Sequence, residues 1–161
     1  MNRNRASVLL IASLFAIAAI AGFGSDRYSG SAADRDALSK TSVEIRAAFA
    51  RGDIDAILQY HHPDVIKALA PERYLVGRDA VKADVVALLS HYDVEFTEHQ
   101  VENMYFQGDT AVEESVFTVK GTPKGDGQPF SYKGRAMVVY VRYPQSPTGW
   151  ASIREIIQPL G

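Results

Sequence analysis

The sequence predicts an α+β domain: a cone of three leading helices packed on a curved, mainly antiparallel sheet of four or more strands. Three observations carry this. Apolar residues recur at three-to-four spacing through the first half of the folded part, the repeat of one helix face. From about Val94 onward the repeat changes to two, in four stretches divided by Gly- and Pro-containing turns. Short links between successive strands imply an antiparallel meander, and helices placed before strands imply helices gathered on one face of the sheet.

The amino terminus is set aside first. Arg3 and Arg5 precede an uncharged stretch of 18 residues, Ala6 to Phe23, that ends in small side chains. This is the layout of a secretory signal peptide, residues 1–21, with Ala19-Ile20-Ala21 supplying the small-x-small pattern and Ala18 an alternative cleavage point. The protein is therefore expected to be exported, periplasmic or secreted. An uncleaved anchor is the competing reading, since the stretch lies at the short end of what spans a hydrocarbon core. No cysteine follows, so a lipoprotein is excluded. Residues 22–33 (GFGSDRYSGSAA) have no apolar period and read as a flexible linker, leaving 34–161 as the folded domain.

In the folded part, Leu38, Thr41 or Ser42, Ile45, Ala48 and Phe49 line one helix face that stops at Gly52. Asp53 caps a short second helix, which buries Ile54, Ile57 and Leu58 and must end before Pro63. A third helix after Gly77 carries Val81, Val85, Leu88 and Leu89 on one stripe. Between the second and third, Val65 to Tyr74 is expected to form only short extended pieces and turns. The strands follow at Val94–Phe106, Ala111–Lys120, Phe130–Tyr143 and Trp150–Gln158, with turns at Gly108-Asp109, Gly121–Gly127 and Pro144–Gly149.

In the third strand both alternating sets are apolar: Ala136, Val138 and Tyr140 against Met137, Val139 and Val141. The fourth does the same, with Trp150 and Ile156 opposite Ile153 and Ile157. Strands of this kind are covered on both faces. Helices can cover one, so a second copy packed sheet to sheet is expected on the other, making a homodimer.

Composition removes several function classes. The chain of 161 residues is 47% apolar and 22% charged, with a formal charge of -2 and no cysteine. Loss of Arg3 and Arg5 with the leader makes it more acidic still. Without a basic run there is nothing to neutralise a phosphate backbone, so nucleic acid is not an expected partner. Disulfides and thiolate metal sites are impossible.

Several short motifs stand in a telling order: Phe49-Ala50-Arg51-Gly52-Asp53-Ile54-Asp55-Ala56-Ile57, His62-Pro63-Asp64-Val65, Gly77-Arg78-Asp79-Ala80-Val81, Gly108-Asp109-Thr110-Ala111 and Gly149-Trp150. In that order and spacing the chain resembles the nuclear-transport-factor-2-like superfamily, in its branch near ketosteroid isomerases and polyketide cyclases, over roughly Asp34 to Gln158. The resemblance implies a cone with a pocket at its open end and frequent dimerisation through the sheet. The isomerases place a tyrosine, a carboxylate base and a second acid at positions that fall here on Ile45, around Ala68 and Leu69, and within Met137 to Val139. All are apolar, so ketosteroid-type isomerisation is not expected.

The remaining polar candidates each have a plain structural alternative. His61-His62 close the second helix, where a partly protonated imidazole is favoured; neighbours on a helix point about 100° apart and share a metal poorly. His91 and His99 have no ligand spacing with them, so no metal is expected and no cofactor is implied. Tyr60 is placed near the pocket mouth. Glu113, Arg135 and Glu155 share one parity of the last three strands, so an arginine between two carboxylates could orient a polar ligand, or form a cross-strand ion pair. Tyr140 and Trp150 could wall an apolar ligand, or simply belong to the core. Glu102–Gly108 (ENMYFQG) resembles a protease-cleavage linker used in engineered fusions, but its apolar residues fit a strand and its glycine falls on the Gly-Asp turn.

Two functions follow. One is an exported module that binds a small, largely apolar molecule or a partner protein in the cone and lacks the isomerase acids. The other is a cyclase-, dehydratase- or hydrolase-like enzyme using Tyr60, Glu113, Arg135 or Glu155. Contact with a membrane is expected only if the amino-terminal segment remains attached.

Overall fold

The computed structural model describes residues 28–69 and 72–160. The expected signal peptide, and the linker up to residue 27, lie outside the described residues. Among those described, no helix is long and apolar enough to cross a membrane.

Helix α1 (Ala32–Arg51) starts inside the stretch expected to be a linker. Ser31 caps it, its hydroxyl accepting from the Asp34 amide at 3.1 Å. The chain just before it is docked: Tyr28 stacks on Tyr105 with ring centroids 4.6 Å apart, and Arg35 donates to the carbonyls of Ser29 and Gly30. At the other end Gly52 takes the left-handed conformation (φ 69°) that closes the helix. Helix α2 (Ile54–Gln59) begins at Asp53, whose carboxylate accepts from the Ala56 amide at 3.0 Å. Helix α3 (Arg78–His91) follows Gly77 and buries Val81, Val85 and Leu89 as its stripe predicts.

Six strands form one sheet in the order β2-β1-β6-β5-β4-β3. The four expected stretches are β3 (Tyr92–Gln107), β4 (Thr110–Pro123), β5 (Phe130–Arg142) and β6 (Trp150–Pro159), and they make the antiparallel meander. The two further strands correct the expectation of short pieces and turns between Val65 and Tyr74. β1 (His61–Leu69) runs parallel to β6, and β2 (Arg73–Val76) pairs antiparallel with β1. Periodicity hides β1 because its partner lies far along the chain and because Pro63 occupies a register shift between His61 and Ile66. The fold is thus α+β with a mixed sheet, and α3 is inserted between strands rather than leading them.

Two apolar clusters hold the layers together. One joins Leu38 of α1 to Phe106, Ala111, Phe117, Val138, Tyr140 and Trp150 of the sheet; the other joins α1, α2 and α3 around Ala48, Ile57, Val65, Val81 and Val85. The protease-linker-like segment is an ordinary part of β3, with Phe106 buried and Glu102 paired to Arg135. On the outer face, Met137 is 43% and Ile156 58% exposed in the single chain. Val139 and Val141 are half-buried, so the outer apolar set is only partly covered within one chain.

Candidate active site

Helix α1 and the concave face of the sheet enclose a cavity of ≈ 400 Å³, within the range of small-molecule sites. Ser42, Ile45, Arg46 and Phe49 face it because three-to-four spacing puts them on one side of α1. Most of the wall is apolar, with Leu75, Val85, Val94, Phe96 and Phe117 among its residues. The isomerase positions Ile45, Leu69 and Val138 line it as apolar groups.

Ionisable groups nevertheless converge inside, contrary to the apolar hollow expected from the sequence. Register explains how. Glu113 of β4 pairs with Val138 of β5, Val138 with Glu155 of β6, and Glu155 with Lys67 of β1, so one row across the concave face carries two carboxylates and an ammonium. Lys67 Nζ lies 2.6 Å from Glu155 Oε2. Glu113 is only 1% exposed. Its Oε1 lies 3.5 Å from His99 Nε2, and its Oε2 is buried with no hydrogen-bond partner. Ser42 Oγ is also 3.5 Å from His99 Nε2 and accepts from Arg46 Nη1 at 2.6 Å. Arg73 and Asp84, a further ion pair, lie at the wall formed by β2 and α3.

Two other groups have their protonation fixed by burial. Burial, reinforced by Glu113 and Glu155, pushes the Tyr140 phenol well above its ordinary value, so it remains a proton donor. Its hydroxyl has no hydrogen-bond partner among the described residues, and Tyr140 lines the cavity. Burial, reinforced by Lys67 and Arg78, holds His61 well below the usual imidazole value. Its Nδ1–H donates to the Ile57 carbonyl at 2.8 Å, so the neutral ring carries its lone pair on Nε2. This corrects the expectation of a partly protonated helix-end histidine: His61 is a buried residue that begins β1.

Of the residues picked from sequence, Glu113, Tyr140 and Glu155 line the cavity. Arg135 does not. It is exposed on the outer face and forks onto Glu102 at 2.9 and 3.0 Å, the cross-strand ion pair given as its alternative. Equal parity in residue number does not survive the register, because Glu113 faces the same side as Val138 and Arg135 pairs with Val116. Tyr60 is buried outside the cavity, its carbonyl accepting from the Ser152 amide. Trp150 is core, edge-on to Phe106 and covered by the Arg142 guanidinium at 4.1 Å. Sequence reasoning passed over Ser42, Arg46, His61, Lys67 and His99 as pocket residues. For Ser42 and Arg46 a signal existed, since they share the helix face of Ile45 and Phe49.

A SnoaL-like domain is matched over residues 43–143, more than half of the chain. The chain belongs to the SnoaL-like family. This is the polyketide-cyclase-like part of the nuclear-transport-factor-2-like superfamily that the motifs suggested. Solved structures agree on the fold of this SnoaL-like chain. A conserved protein from Planctomyces limnophilus matches with a TM-score of 0.71 at 18% identity, covering 80% of this chain and 98% of that one. A candidate scytalone dehydratase from Novosphingobium aromaticivorans matches with 0.71 at 13% identity, covering 80% and 85%. A ketosteroid isomerase-like protein from Erwinia carotovora atroseptica matches with 0.65 at 16% identity, covering 78% and 95%. Identities this low establish a shared fold and no shared chemistry. No curated protein matches the chain significantly. Among the described residues, no three His, Asp or Glu side chains gather as a metal site.

Proposed function

We propose that this SnoaL-like domain is an acid-base enzyme that moves a proton on a small, largely apolar molecule. The observation that carries the reading is Glu113: a buried carboxylate with one oxygen near His99 and the other unpartnered beside a cavity. Such a group is costly to keep unless a ligand or a reaction uses it. Glu113 takes a proton from carbon next to a carbonyl, and the C–H electron pair moves onto the carbonyl oxygen. The Tyr140 hydroxyl, held protonated, donates a hydrogen bond to that oxyanion. Returning the proton to a different carbon gives isomerisation. Delivering it to a departing β-hydroxyl gives water and an alkene, the net change of a dehydratase. His99 steadies Glu113 through Oε1, and Ser42, which accepts from Arg46, meets the same Nε2 of His99.

The candidate dehydratase among the structural neighbours supports the reaction class by analogy only. A non-catalytic binding module is the second reading, favoured by the apolar side chains at Ile45, Leu69 and Val138. Proton NMR of 2-tetralone, a two-ring enolisable ketone, in deuterium oxide separates them. Catalysed loss of the α-proton signals is expected with the wild-type protein, whereas saturable binding without exchange overturns the enzyme reading in favour of the module.

The signal-like pattern of the first 21 residues supports a second proposal, that the domain works after export. The uncovered Met137 and Ile156 support a third, that two copies pack through the outer face.

A further inference from the structure

The cavity holds three cationic and three anionic side chains, and their pairing is uneven. Lys67 is bonded to Glu155, and Arg73 to Asp84. Arg46 has no ion pair among the described residues and one hydrogen bond, to Ser42. A guanidinium carries five N–H donors in a planar fork. Arg46 is half-buried and lines the cavity, as do Ile45, Phe49 and Tyr140. All three of Arg46, Glu113 and Tyr140 line the cavity, and the Arg46 charge acts on both Glu113 and Tyr140.

We propose that the molecule taken by this site is a carboxylate: one or two apolar rings, or a branched chain of similar size, whose carboxyl group docks on the Arg46 fork with the reacting carbon facing Glu113. This rests on the acid-base reading for the role of Glu113, but not for the binding itself. Planar, two-point geometry favours carboxylate. Charge favours it over phosphate, because a cavity with balanced formal charges accepts one negative charge more readily than two beside Glu113.

Calorimetric titration with 2-naphthylacetate and its neutral amide, 2-naphthylacetamide, tests this. The wild-type protein is expected to favour the acid by about tenfold or more, the scale of a charge-assisted bidentate pair. Arg46→Met should bring the two affinities together while leaving amide binding within about threefold, which also shows that the variant is folded. Arg46→Lys should keep part of the preference. Lys67→Met should keep it, and Glu113→Gln, which removes a negative charge beside the docked anion, should raise it. Equal binding of acid and amide by the wild type, no binding of the acid at about 5 mM, a preference that survives Arg46→Met, or one abolished by Lys67→Met instead would overturn the assignment. Acid preference in a protein that never exchanges 2-tetralone protons leaves the carboxylate site standing and removes the acid-base reading. Exchange without acid preference does the reverse.

Discussion

Glu113 and Tyr140 sit on adjacent strands with opposite parity in number and the same face in space. That relation shows what single residues reveal in a sequence and what they conceal. Glu113 was legible through the parity it shares with Arg135 and Glu155, and Tyr140 only as an aromatic wall. Arg135 looked equally good and is on the other side, because antiparallel register pairs Glu113 with an even-numbered neighbour. His99 was discounted for want of metal-ligand spacing, a test that does not see a partnership with a carboxylate across the sheet. Tyr140→Phe keeps the ring and removes the donor, so exchange of 2-tetralone protons should fall by about ten- to a hundredfold with little loss of stability; an unchanged rate removes Tyr140 from the chemistry. His61 gives a pH prediction. The native imidazole resists protonation, whereas an unfolded one binds a proton below about 6.5. The unfolded state then holds more protons, so stability falls by up to about 1.4 kcal/mol per pH unit as pH drops below that value, until the native ring itself protonates. Urea titrations between pH 7 and 5 should show the decline, and His61→Gln should flatten it.

At the scale of elements, the helices and the meander were readable because each satisfies its backbone locally or with a neighbour in sequence. β1 was not, since it is defined by pairing with β6 and interrupted at Pro63. Irregularities in β3 also matter. Its register with β4 shifts between Phe96 and Glu98, so Phe96 and His99, an odd number of residues apart, oppose Val119 and Phe117 on one face. Simple alternation would have sent His99 to the outside. The segment before α1 shows the opposite error: a Gly- and Ser-rich composition read as a tether, yet Gly30 has φ 69° and an added Cβ would lie 2.6 Å from the Phe106 ring. Gly30→Ala should therefore destabilise the domain by about 1–3 kcal/mol, through positive φ and displacement of a core aromatic. Thermal melts would register this, and an unaffected transition would mean the segment is not docked.

For the molecule as a whole, the sequence announced a domain of this superfamily and a sheet apolar on both faces, and it understated the polarity of the cavity. The understatement has a physical cause. The cavity's charges come from α1, β1, β2, α3, β4 and β6, and only tertiary register brings them together. The outer face gives a prediction at this scale. Tyr74, Ile156 and Met137 are 65%, 58% and 43% exposed and lie in one cross-strand row through Ala68. A patch of that kind on a soluble domain marks an interaction surface. Sedimentation equilibrium should give twice the chain mass at micromolar concentration, and Met137→Lys with Ile156→Lys should return it to one.

The most direct test concerns the buried carboxylate. Glu113→Gln preserves shape and removes the basic oxygen, so the rate of deuterium uptake into 2-tetralone should drop by about two orders of magnitude or more while the melting temperature holds or rises. Uptake at the wild-type rate by a folded Glu113→Gln protein would contradict Glu113 as the base.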